Sequence, residues 1–77
     1  MKKEIERFTV LLVHATTEAR LYRHAETGAE MWIPRSVLPS VQKSPKPVNG
    51  LEQHFVEVEK WWLKKHPWPK TAERQLL

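Results

Sequence analysis

The chain has 77 residues, no cysteine and a formal net charge of +4. A chain this short makes one domain, 1–66 with a tail over 67–77, and buries only roughly 60% of its unfolded surface, so its core is thin. The composition excludes disulfides and thiolate zinc sites, and no run approaches the ~20 apolar residues that cross a bilayer.

The start, "MKKEIERF", mixes lysines with Glu4 and Glu6 and leads into a short apolar run, unlike a signal peptide. A soluble, cytoplasmic protein is expected, since a chain without cysteine suits a reducing compartment. A small core without a covalent or metal staple also favours self-association or docking on a larger partner, so a homodimer is one expectation.

In chain order, "RFTVLLVHA" (7–15) is short, apolar and rich in β-branched residues, which predicts a strand. Phe8, Val10 and Leu12 share one face and Thr9, Leu11 and Val13 the other. Both faces are apolar, which predicts a central strand covered on both sides. "TTEA" (16–19) is a polar break. "ARLYRH" (19–24) alternates, with Arg20 and Arg23 on opposite faces. Gly28 suits a tight connection, and "AEMWIP" (29–34) resumes as a strand with Met31 and Ile33 opposite Glu30 and Trp32. Residues 7–33 therefore read as a three-stranded antiparallel meander.

Pro34 cannot donate to a ladder and ends the third strand. "PRSVLPS" (34–40) suits one tight helical turn with Val37 and Leu38 inward, and "VQKSPKPVNG" (41–50) reads as a long loop. Asn49-Gly50 places a turn before the next element. A strand is predicted over about His54 to Val58, with Glu57 and Glu59 outward. "EKWWLKKH" (59–66) then suits a short helix, acidic first and basic last, stopped by Pro67. The predicted fold is mainly β: a small antiparallel β-barrel-like sheet of about four strands with a short C-terminal helix.

Chemistry is sparsely signalled. The chain has only two glycines and no aspartate, so a phosphate-cradling loop is absent and an enzyme is not expected. A Ser36 nucleophile would need His14, His24 or His54 as base and a glutamate behind it, and nothing sets up that arrangement. The histidines at 14, 24, 54 and 66 lack a ligand pair at helical spacing, so neither a metal site nor a cofactor is expected.

The positive charge is uneven. Residues 35–47 carry Arg35, Lys43 and Lys46 without an acid, and residues 60–77 carry five basic residues against Glu73. Such segments suit an anionic partner, nucleic acid first. The alternative is ordinary solubilising charge, with arginines such as Arg23 paired to Glu18, Glu26 or Glu30.

Four tryptophans are many for this length. Trp32 is expected in the core or at its edge. Trp61 and Trp62 cannot both face inward on one helix. Trp68, between two prolines, has three readings: stacking on an unpaired base while Lys64, Lys65 and Lys70 hold phosphates, anchoring a protein partner, or folding back as a lid.

Two resemblances follow from these residues. "EMWIPRSVL" (30–38) resembles the last-strand and tight-turn segment of Src-homology-type small barrels, which implies a barrel; no Ala-Leu-Tyr-Asp-Tyr-like start or acidic peptide-binding loop accompanies it. The set Glu30, Trp32, Ile33, Pro34, Arg35, Ser36, Val58, Trp62, Leu63, Lys64 and Lys65 is similar to small phage and prophage proteins, which implies a mobile-element accessory protein and no particular mechanism.

The expected function is a non-catalytic nucleic-acid-binding accessory module, with Arg35, Lys60, Lys64, Lys65 and Lys70 on phosphates and Trp61 or Trp68 stacking. The alternative is a protein-interaction module, an adaptor or inhibitor of a host protein, that uses exposed tryptophans as anchors.

Overall fold

The computed structural model describes residues 4–69. Five antiparallel strands form one sheet: β1 (Ile5–Ala15), β2 (Ala19–His24), β3 (Glu30–Pro34), β4 (Ser40–Lys43) and β5 (Gln53–Glu59). Their order is β3-β2-β1-β5-β4, so β1 is central and β3 and β4 are edges. A 3₁₀ turn (Arg35–Val37) links β3 to β4, and helix α1 (Lys60–Lys65) follows β5. The sheet is mainly β as expected, but it stays open rather than closing into a barrel.

The meander forms for the local reasons the sequence offers. Thr16 Oγ1 accepts the Ala19 N–H at 3.1 Å and closes the β1–β2 turn. Gly28, at φ +78°, allows the His24 N–H to reach the Ala29 carbonyl at 2.7 Å across the β2–β3 turn. One irregularity was not foreseen. Leu12 pairs with Tyr22 and His14 with Leu21, so Val13 is the extra residue of a bulge. The bulge puts His14 on the face of Thr9 and Leu11, where regular alternation would have placed Val13.

The fifth strand, β4, lies where the sequence predicts loop. "SVQK" has one β-branched residue and is followed at once by Ser44 and Pro45. It is a strand because β5 supplies a ladder for it, with Val41 opposite Val56 and Lys43 opposite His54. Beyond it, Asn49 and Gly50 both take positive φ, 52° and 80°, as a type I′ turn requires, and Val48 and Leu51 bridge across them.

Segment 35–39 runs from the outer edge of β3 to the outer edge of β4. It crosses one face of the sheet and buries Val37 against it. Trp62, Leu63 and Trp68 cover the rest of that inner face. Beneath them lie Phe8, Val10 and Leu12 of β1, Tyr22 of β2, Met31 and Ile33 of β3, Val41 of β4, and Val56 and Val58 of β5. The crossing lets so short a chain cover one sheet face with a few residues. On the other face Leu11 of β1 is also buried, at 6% exposed, but Trp32 and Phe55 beside it are exposed, so that face is only partly shielded and β1 is not fully covered on both sides.

Candidate functional site

Helix α1 settles the two neighbouring tryptophans by its periodicity. Trp62 is 8% exposed and belongs to the core, its ring stacked on His66 at 4.7 Å between centroids. Trp61, a 100° step away, is 53% exposed. Lys64 and Lys65 are exposed and stand three and four residues after Trp61, on its side of the helix. Lys60 is half-buried at the helix start, its N–H bonded to the Glu4 carbonyl at 2.9 Å. Among the described residues none of these lysines has an ion-pair partner. Glu59, expected outward, is buried where β5 passes into α1, and its carboxylate accepts the Trp61 indole N–H. That bond fixes the indole beside the lysines.

The other expected site residues do not join this cluster. Arg35 is exposed, but its N–H bonds to the Glu18 carbonyl at 2.9 Å, beyond the far end of β1 from Glu4. Arg35 and the α1 lysines are thus tied to opposite ends of the longest strand. Trp68 is half-buried, edge-on to Phe8 at 5.6 Å and to His24 at 5.2 Å, with its indole nitrogen buried and without a hydrogen-bond partner among the described residues. That is the lid arrangement. Lys70 lies outside the described residues. Arg23 bonds Glu30 on β3 at 2.7 Å, one of the pairings expected of it, and Lys43 bonds Glu52 at 3.3 Å beside the opposite edge of the sheet.

The open face is a second surface. Strand alternation and the bulge place Leu11, His14, Leu21, Arg23, Trp32 and Phe55 on it. Trp32, expected in or at the core, is 45% exposed there, edge-on to His14 at 5.9 Å, and Phe55 is 44% exposed. Trp32 follows the alternation: Met31 and Ile33 face inward, so it cannot. Two adjacent rows of this face, Arg7–Glu57–Ser40 and Thr9–Phe55–Gln42, border a groove of about 470 Å³.

Sequence reasoning missed a polar chain that spans the inner side of the sheet. Arg20 Nη1 donates to the Tyr22 hydroxyl at 3.2 Å, that hydroxyl meets His54 Nδ1 at 2.8 Å, His54 Nε2 meets Glu52 Oε1 at 3.0 Å, and Glu52 Oε2 takes Lys43 at 3.3 Å. Glu52 only accepts, so His54 Nε2 carries the hydrogen between them, and in that tautomer Nδ1 accepts the Tyr22 O–H. From Arg20 to Glu52 every donor then points the same way, and Lys43 donates to Glu52 from the opposite side. Burial raises the Tyr22 phenol above its ordinary value, against the opposing pull of Arg20 and Arg35. The His54 and Lys43 bonds hold the Glu52 carboxyl below its ordinary value. Tyr22 is fully buried and His54 nearly so. The chain therefore gives the Tyr22 hydroxyl and the His54 ring partners in a thin core, while Arg20 Nε stays buried without one among the described residues. The available signal was that Glu52 and His54 sit two apart, as do Arg20 and Tyr22, and so share strand faces.

Among the described residues no three histidine or carboxylate side chains converge as a metal site requires, and no helix is long and apolar enough to cross a membrane. Compared with known proteins, the chain matches no family model, no curated protein and no solved structure.

Proposed function

We propose that this protein is a non-catalytic nucleic-acid-binding accessory module that works through α1. One observation carries the reading: an exposed indole shares a helix side with two exposed lysines that have no ion-pair partner among the described residues. An aromatic plane beside free cations is the combination that holds unpaired bases and their phosphates. Arg35, at the other end of β1, supplies a separate phosphate contact for a strand that crosses the molecule. The resemblance of residues 30–36 and 58–65 to phage and prophage proteins supports a mobile-element setting, and the lack of cysteine supports a reducing compartment.

The test is a titration of a fluorescent single-stranded oligonucleotide at several salt concentrations. With Lys60, Lys64 and Lys65 on phosphates, log K should fall against log salt with a slope of about −2. Trp61→Ala should weaken binding by roughly 5- to 150-fold, the value of one stacked base. Absent or salt-insensitive binding sinks the proposal.

A second reading is favoured by a different observation. Trp32 and Phe55 stand exposed on one uncovered sheet face, as anchors for a protein contact do.

A further inference from the structure

We propose that the open face of the sheet pairs with the same face of a second copy of this chain, and that Trp32 of each copy enters the groove beside Phe55 of the other. The inference rests on the second reading above and names its partner.

Position argues for it first. Trp32 stands on edge strand β3 and Phe55 on β5, three strand spacings away, about 14 Å. Along the strands Trp32 is level with Leu21 and His14, and Phe55 with Thr9. The row through Arg23, Leu11 and Gln53 lies between those levels. A two-fold axis lying in the face and passing close to Leu11 therefore carries each Trp32 onto the other copy's Phe55. A two-fold interface demands this reciprocity. The groove of about 470 Å³ beside Phe55 has room for an indole, and Glu57, Gln42 and Ser40 on its border can accept the indole N–H.

Charge argues for it next. The chain carries +4, which opposes contact between two copies over most of its surface. The open face is the exception. Its Arg7 is bonded to Glu57 at 3.1 Å and its Arg23 to Glu30 at 2.7 Å, so these arginines are already neutralised. A strongly charged partner finds no net charge there to complement, whereas a second neutral face meets no repulsion. Size sets the strength: five strands about 4.8 Å apart and about six residues long give a flat footprint near 480 Å², below the about 800 Å² per partner of a standard specific interface, as a weak and reversible dimer has.

The absence of cysteine permits a clean experiment on the full chain. Trp32→Cys and Phe55→Cys variants, each shown to fold by circular dichroism, are treated with a short bis-maleimide linker separately and mixed. Only the mixture places the two thiols together, and its heterodimer keeps one native Trp32–Phe55 contact. A cross-linked band in the mixture alone is expected. Sedimentation equilibrium of the native chain between about 5 and 500 µM should show a reversible dimer. Trp32→Ala and Phe55→Ala should each weaken it about tenfold or more, and by similar factors, because each residue appears in both contacts. A native chain that is monomeric throughout overturns self-pairing and leaves the second reading to a different protein. A dimer unaffected by either alanine variant overturns the open face as its interface and likewise leaves the second reading to a different protein.

Discussion

Removing the Tyr22 hydroxyl tests whether the buried polar chain stabilises this fold. Tyr22→Phe keeps the ring, which is 0% exposed, so no cavity of consequence opens. It deletes the bonds to His54 at 2.8 Å and from Arg20 at 3.2 Å. Arg20 is half-exposed and can turn to water. His54 is 4% exposed and cannot, so its Nδ1 is left as a buried acceptor without a donor. An orphaned buried group costs about 1–3 kcal/mol and each lost bond about 0.5–1.5, which puts the expected destabilisation at roughly 2–3 kcal/mol. In a domain this small each kcal/mol moves Tm by about 4–8 °C, so a fall of roughly 8–24 °C is expected at neutral pH. Urea and thermal unfolding followed by circular dichroism would measure it. Adding His54→Leu should recover part of the loss, because removing both polar partners leaves no orphan between them. The alkaline limb gives an independent readout. Burial raises the Tyr22 phenol above its ordinary 10.0, so the unfolded chain releases that proton first. Stability should therefore fall as pH rises past about 10, and this component should be missing in Tyr22→Phe. A variant within about 0.5 kcal/mol of the native chain would refute the reasoning, since that is the range of an ordinary surface change.

Two further outcomes are expected. Glu52, whose carboxyl is held low by His54 and Lys43, contributes stability above its ordinary 4.5 that disappears as pH falls through its lower folded value. Glu52→Gln should accordingly flatten the dependence of Tm on pH below about 4.5, and an unchanged acid limb would contradict the assignment. Trp62→Ala should cost about 3–5 kcal/mol by opening a core cavity, whereas Trp61→Ala should cost less, about 1.5–3 kcal/mol for the indole bond lost from buried Glu59, in the same denaturant titration; a larger loss at Trp61 than at Trp62 would mean that the helix is oriented otherwise.

The face assignments of the meander were legible because they are local. Alternation separates Phe8, Val10 and Leu12 from Thr9 and Leu11, and Arg20 from Arg23, whatever the strands pair with. The same is true of the Asn49-Gly50 turn, whose geometry follows from tolerance of positive φ, and of α1, stopped by Pro67. The candidate site was legible to the extent that it is also local: Trp61, Lys64 and Lys65 share one helix side by spacing alone.

What the sequence by itself determined is therefore four of the five strands and the helix, the alternation within them up to the β1 bulge, and the excess of basic side chains around α1. What only tertiary structure decided is partnership. β4 exists because β5 lies beside it, Trp62 rather than Trp61 is buried because of how α1 lands on the sheet, and Arg35 is separated from the α1 lysines by the run of β1. Tyr22 finds His54 from 32 residues away through strand order. Trp32 is exposed because five strands and one crossing segment suffice to cover a single face of the sheet. Hydrophobicity marks a residue for burial, but which surfaces are buried depends on how many layers the chain can build, and the described residues build one sheet with one cover.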